Sequence, residues 1–186
     1  RNLVRNFYEL GTLLAIHDPN ESIAAGLSEK YNVQNQSIES ILANKEISGV
    51  VIAAPASLHA SLAERAMDAG KHVYVEKPLA MNLSEADKMI LKAEETGMHL
   101  MVGHLLQYHP VFLKLKDLVM SETLGNINYI YSNRHSLGKI RTEEDVIWSF
   151  APHDISMILS LSGAMPKNIY TDSTTIIQSG ICDFAT

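Results

Sequence analysis

The chain is poor in cysteine, carries no excess of positive charge and contains no long apolar run. Cys182 is the only cysteine among the 186 residues, which excludes an internal disulfide, and its apolar and acidic neighbours indicate a passive thiol in a reducing cytoplasm. The formal net charge of -6 argues against binding to nucleic acid or to an anionic membrane, both of which attract positively charged surfaces. No stretch of about 18 apolar residues is present, so no membrane-spanning helix is predicted. These absences leave a cytoplasmic globular protein, long enough for one domain and part of another.

Short apolar runs alternate with helical patterns over the first part of the chain. The runs at residues 13–16, 49–54, 73–75 and 99–103 have the composition of buried strands. Apolar residues at helical spacing lie between them. Such alternation predicts an α/β fold with a parallel sheet and right-handed crossovers. We therefore expect a first domain over residues 1–104.

The pattern changes beyond Gly103. Residues 127–131 alternate like a half-exposed strand, and residues 168–177 form a second β-rich run. A helix is expected from Pro152 to Leu161, with proline in its first turn. Residues 105–186 are therefore predicted to begin an incomplete α+β domain.

The buried run at residues 73–75 stops at Glu76 and Lys77, and Pro78 cannot continue a central strand. The two charges therefore lie at the carboxyl end of the strand, the sheet edge at which open α/β folds bind ligands. A lysine held there beside a carboxylate and a rigid turn is a candidate catalytic residue. The alternative is a Lys-Pro turn without function.

Three short motifs together resemble signatures of the Gfo/Idh/MocA family of NAD(P)-dependent oxidoreductases. They are Glu76-Lys77-Pro78, the segment Ala54-Pro55-Ala56-Ser57-Leu58-His59 one βα unit earlier, and Pro152-His153-Asp154-Ile155. The resemblance implies a Rossmann-type doubly wound parallel sheet that binds NAD, followed by an α+β substrate domain. Because the chain starts on a helical pattern, the resemblance also implies that the glycine-rich fingerprint lies upstream of Arg1 and that the chain is a fragment.

The resemblance assigns roles to Lys77 and His153, which are expected to meet at one substrate oxygen. Lys77 would take or relay the hydroxyl proton, and His153 would hydrogen-bond the reacting oxygen. The residues expected to bind the cofactor are Asp18, Ala54, Pro55, Leu58, His59, Glu76 and Lys77.

Asp18 and His59 each have a second interpretation. Asp18 suits hydrogen bonds to the adenine ribose hydroxyls, which would favour NAD over NADP, and it equally suits capping of the helix that follows. His59, in the first turn of a helix, could donate to a phosphate or could be a partly exposed helix-start histidine.

The segment from Trp148 to His153 resembles family members that act on nucleotide-linked sugars, among them UDP-N-acetylglucosamine and glucuronate 3-dehydrogenases. Ser149 stands where many members carry an aspartate, which argues against a Lys-Asp-His relay. Arg134 and Arg141 could clamp a substrate diphosphate with their guanidinium groups, or could belong to a solvated loop. Arg134, Arg141, Trp148 and Ser149 are the predicted substrate-binding residues.

The expected activity is hydride transfer from a sugar hydroxyl to NAD. The expected partners are a sugar or nucleotide-sugar substrate and further copies of this chain, which would assemble through the C-terminal sheet. Alternatives are another sugar or polyol dehydrogenase of the family, or a cofactor-binding regulator of the same fold without turnover. No metal site is predicted, because the spacings of His104, His109 and His135 fit no compact ligand motif.

Overall fold

The computed structural model describes residues 2–135, 145–177 and 179–186. The chain divides into two compact units. The first consists of Arg1–Val75 and Leu79–Met101, and the second of Glu76–Pro78 and Val102–Thr186. The short segment Glu76–Pro78 therefore belongs with the second unit, although the strand that leads into it belongs to the first.

The first unit alternates helices with short strands, as predicted. Its helices are α1 (Asn2–Glu9), α2 (Glu21–Tyr31), α3 (Ile38–Ala43), α4 (His59–Asp68) and α5 (Leu83–Thr96), with a 3₁₀ turn at Ala56–Leu58. Its strands are β1 (Ala15–Ile16), β2 (Gln34–Asn35), β3 (Gly49–Ile52), β4 (His72–Val75) and β5 (Leu100–Val102). β1 runs parallel to β2, β3 runs parallel to β4, and β5 lies on the other side of β4.

The core of the first unit joins α4 and α5 to the sheet. Ala63 and Ala66 are fully buried on α4, where their small side chains allow the helix to approach its neighbours closely. Met67 and Met89 fill the remaining space at 1% and 0% exposure, beside the fully buried Val75 of β4. Burying one such methionine contributes about 1.5–3 kcal/mol. This packing anchors β4, the strand that leads directly to Lys77.

The second unit contains helices and a short antiparallel strand pair. Its elements are a 3₁₀ turn at Leu105–Tyr108, α6 (Pro110–Met120), α7 (Val146–Ser162), β6 (Ser173–Thr174) and β7 (Phe184–Ala185). The main-chain N–H of Val146 donates to the carbonyl of Cys182 at 3.0 Å, which ties the start of α7 to the segment before β7.

The prediction that a helix begins at Pro152 was wrong. α7 begins at Val146 because Asp145 caps it, accepting a hydrogen bond from the N–H of Trp148 at 2.9 Å. Pro152 lies inside the helix. His153 is therefore an interior helical residue, at the third turn of α7, and not a residue that opens a helix.

The two strand predictions for this unit were also largely wrong. Residues 127–131 form no strand, and of residues 168–177 only Ser173–Thr174 does. A strand needs a neighbour that satisfies its backbone groups, and in the part of the chain that the structure describes no strand pairs with residues 127–131. The alternating side chains of this segment, including Tyr129 and Tyr131, are exposed.

Candidate active site

Lys77 follows β4 by two residues, and its ammonium reaches helix α7. Its Nζ donates a hydrogen bond to the main-chain carbonyl of Ser149 at 2.8 Å. Ser149 is 3% exposed, so the acceptor is shielded from bulk water. None of the ion pairs in the described ranges involves Lys77. A neutral carbonyl thus orients the ammonium, which has further protons to donate to a ligand.

Glu76 contacts the main chain of Lys77, since its Oε2 accepts a hydrogen bond from the Lys77 N–H at 3.3 Å. This bond stabilises the turn at the end of β4. This contact supports a positioning role for Glu76, because one of its carboxylate oxygens binds the backbone of the neighbouring residue.

Helix α7 supplies both the carbonyl of Ser149 and the imidazole of His153. A helical carbonyl points toward the residue four positions later, so an ammonium bound to Ser149 comes near His153. Pro152 has no N–H, which leaves the carbonyl of Trp148 without its usual donor four residues on. The hydrogen-bond pattern of the helix is therefore interrupted beside the contact with Lys77.

Two imidazoles lie within electrostatic range of the Lys77 ammonium. Burial first, and then the Lys77 charge, lowers the pKa of His153, and Arg134 and His104 add to this effect. Burial and the Lys77 charge likewise lower the pKa of His104. Both rings are therefore neutral at pH 7, and they lie beside a positive charge.

The Nδ1 atoms of His104 and His153 are buried and have no hydrogen-bond partner among the described residues. Buried polar atoms are rarely left unpaired, so these two rings beside an ammonium are candidates for a functional role. Sequence reasoning weighed His104 only as a metal ligand and did not place it in this site. Its one available signal was its place two residues after β5, which matches that of Lys77 after β4.

A network of charged hydrogen bonds surrounds the residue after His153. Asp154 accepts from Arg134 Nε at 2.6 Å and from Arg134 Nη2 at 3.1 Å, and from the hydroxyl of Ser132 at 2.9 Å. Burial would raise the pKa of Asp154, but the hydrogen bonds from Arg134 and Ser132 outweigh it and lower the pKa. The network fixes residues 132–134 against α7.

The predicted substrate-binding residues have different surroundings. Arg134 already binds a carboxylate, so a diphosphate would have to share or displace Asp154. Ser149 is buried and contributes its main chain to Lys77, and Trp148 is 37% exposed. Arg141 lies outside the residues that the structure describes.

In the first unit, Asp18 follows the end of β1. Its Oδ1 accepts a hydrogen bond from the N–H of Asn20 at 2.9 Å, and Asn20 itself caps α2 through the N–H groups of Ser22 and Ile23. The capping interpretation of Asp18 was therefore wrong, because Asn20 caps the helix. A carboxylate placed after a strand remains a suitable acceptor for ribose hydroxyls.

His59 is 1% exposed, so its alternative interpretation as a partly exposed helix-start histidine was wrong. Its Nε2 is 2.9 Å from the carbonyl oxygen of Ala54, and the ring thereby ties the start of α4 to the end of β3. Pro55 precedes the 3₁₀ turn, and Leu58 is 47% exposed. The small residues that follow β3 leave room for the close approach of a flat cofactor, and the carboxylate of Asp18 could accept hydrogen bonds from its ribose.

Comparison with known proteins identifies the family of the chain. The family model for the Gfo/Idh/MocA oxidoreductases, described as an oxidoreductase family with an NAD-binding Rossmann fold, matches residues 2–104. The chain belongs to this family. The predicted Rossmann-type parallel fold is thereby confirmed, and NAD is the cofactor that characterises the family.

Several relatives are dehydrogenases of sugars or polyols. UDP-N-acetylglucosamine 3-dehydrogenase of Acidithiobacillus ferrooxidans is 30% identical over 167 residues, which are 89% of this chain and 51% of that protein. A solved structure of that enzyme from the same organism has a TM-score of 0.80 at 25% identity, covering 98% of this chain and 58% of the other. Myo-inositol 2-dehydrogenase of Thermotoga maritima is 24% identical over 176 residues, 91% of this chain and 53% of its own. The chain thus spans about half the length of these relatives.

Two further observations concern metals and membranes. No group of three or more metal-ligating side chains occurs within residues 2–135, 145–177 and 179–186. Over the same ranges, no helix combines the length and the apolar character needed to cross a membrane.

Proposed function

We propose that the protein is an NAD-dependent dehydrogenase that oxidises a hydroxyl of a sugar, carried on a nucleotide, to a ketone. The observation that carries the proposal is a cluster of three side chains in the second unit. The ammonium of Lys77 is oriented by a main-chain carbonyl, and the neutral imidazoles of His104 and His153 each have a buried, unpaired Nδ1. The dehydrogenase relatives support the reaction type, and the 3-dehydrogenase among them supports a nucleotide sugar oxidised at position 3.

Lys77 is the residue that handles the hydroxyl proton. Oxidation of an alcohol releases a hydride and a proton, and the chemistry that bound NAD would supply is acceptance of the hydride. The nitrogen of Lys77 accepts this proton after releasing one of its own, while a remaining N–H stays on the Ser149 carbonyl and holds the nitrogen in place. The carbonyl needs no charged partner, so the reaction does not depend on an aspartate at position 149.

His153 acts on the reacting oxygen. A neutral imidazole can donate a hydrogen bond to an oxygen that gains carbonyl character without adding a second positive charge beside Lys77. The ion pair of Asp154 with Arg134 holds the segment of α7 next to His153 and thereby helps to orient the ring. Asp18, at the end of β1, would receive the adenine ribose hydroxyls.

The proposal is tested with the full-length protein, NAD and UDP-N-acetylglucosamine, by following NADH formation. Lys77→Met keeps the aliphatic stem and removes the amine, so kcat should fall by about 10²–10⁴, with little change in the affinity for NAD. Lys71→Met is the matched control, because Lys71 is also buried and donates from Nζ to a main-chain carbonyl, that of Asn44 at 2.6 Å.

Unchanged kcat in the Lys77 variant would contradict the role of that residue. NAD binding without turnover of any nucleotide sugar, free sugar or polyol would contradict the dehydrogenase proposal. That second result would favour a cofactor-binding regulator of the same fold.

A further inference from the structure

His104 has surroundings that a purely structural histidine lacks. His59 shows the structural case in the same chain, being fully buried with a ring nitrogen 2.9 Å from a carbonyl oxygen. His104 is partly buried, and its Nδ1 is inaccessible to water and unpaired in the described part of the second unit. Because a ligand cannot reach a buried nitrogen, the ring can meet a ligand only through Nε2.

The protonation of the His104 ring follows from its surroundings. A buried N–H without an acceptor is rarer in proteins than a buried acceptor without a donor. This preference places the lone pair on the buried Nδ1 and the proton on Nε2.

We propose that His104 is a third functional residue of the site, a neutral imidazole whose Nε2–H donates a hydrogen bond to a substrate hydroxyl or carbonyl oxygen. This inference rests on the proposed function, because it takes the ligand of the second unit to be a sugar. Together Lys77, His104 and His153 then present one cation and two neutral donors, a set that suits adjacent oxygens of one sugar ring. The ring of His104 fixes which oxygen lies at Lys77.

The first test is the tautomer, which can be measured without turnover. Long-range nitrogen–proton correlation NMR on the full-length protein at neutral pH should show His104 with its proton on Nε2, assigned by loss of the signal in His104→Gln. Adding UDP-N-acetylglucosamine should shift the Nε2 resonance. A proton on Nδ1, or a charged ring, would overturn the inference.

The second test asks whether His104 acts as a hydrogen-bond donor or only fills space. His104→Leu fills the space but donates nothing, so kcat/KM should fall by about 10- to 100-fold. His104→Gln places an amide N–H near the position of Nε2 and should restore most of the loss. His109→Asn is the control, since His109 is exposed on the same stretch and asparagine retains its acceptor for the helix cap at Val111. Its kcat/KM should be unchanged.

The outcomes distinguish this inference from the proposed function. Equal activity of the wild type and His104→Leu overturns the role of His104 and leaves the dehydrogenase standing. If the wild type has no dehydrogenase activity, the proposed function fails, and calorimetric titration with UDP-N-acetylglucosamine decides on His104. Weaker binding by His104→Leu, with rescue by His104→Gln, then supports the inference, and equal or absent binding refutes it.

Discussion

Replacement of Arg134 by methionine should lower the free energy of unfolding by about 2 kcal/mol, a value between those for exposed and buried ion pairs. Arg134 binds both oxygens of Asp154, at 2.6 and 3.1 Å, and the side chains are 35% and 16% exposed. Loss of an exposed pair costs about 0–1 kcal/mol, whereas loss of one partner from a buried pair costs about 3–5 kcal/mol. The Ser132 hydroxyl continues to bind Asp154 and keeps the loss below the upper range.

The assay is urea unfolding of the full-length protein followed by tryptophan fluorescence, because Trp148 lies on α7, the helix that also carries Asp154. Arg65→Met is the matched control: its pair with Glu39 is also short, at 2.9 Å, but the two side chains are 48% and 75% exposed. Adding Asp154→Leu to Arg134→Met should recover part of the loss, since no unpaired carboxylate remains. Equal effects of Arg134→Met and Arg65→Met would refute the reasoning.

Two further predictions concern the cofactor and acid sensitivity. Asp18→Asn keeps an acceptor for the Asn20 N–H but removes the charge that repels a ribose 2′-phosphate. The affinity for NADP should therefore rise relative to the affinity for NAD. An unchanged ratio of the two affinities in titrations of the full-length protein would exclude Asp18 from the ribose site. Burial, and then the charge of Lys77, lowers the pKa values of His104 and His153 below the ordinary 6.5. At a pH between these lowered pKa values and 6.5, the unfolded state therefore binds more protons than the folded state. The free energy of unfolding should therefore decrease as pH falls below about 7. Lys77→Met should weaken this dependence by raising both pKa values, and a dependence identical to that of the wild type would contradict the contribution of Lys77.

The first unit could be predicted because its signals are local. Apolar runs of strand length, helical spacing between them and a proline at the strand end indicated the alternation of β and α elements and placed Lys77 just past β4. The second unit was predicted less well. Asp145, not Pro152, sets the start of α7, and strand-like alternation at residues 127–131 has no strand partner in the described part of the chain.

By itself the sequence determined the α/β class, the family signatures and the choice of Lys77 and His153, because each depends on residue type, spacing and position along a strand or helix. Only the tertiary structure decided what those residues touch. The carbonyl of Ser149 as the acceptor for Lys77, the neutral imidazole of His104 and the pairing of Arg134 with Asp154 depend on which segments meet in space. Burial and charge act over a few ångströms through space, and residues 72 positions apart, such as Lys77 and Ser149, carry no trace of that contact in their local sequence.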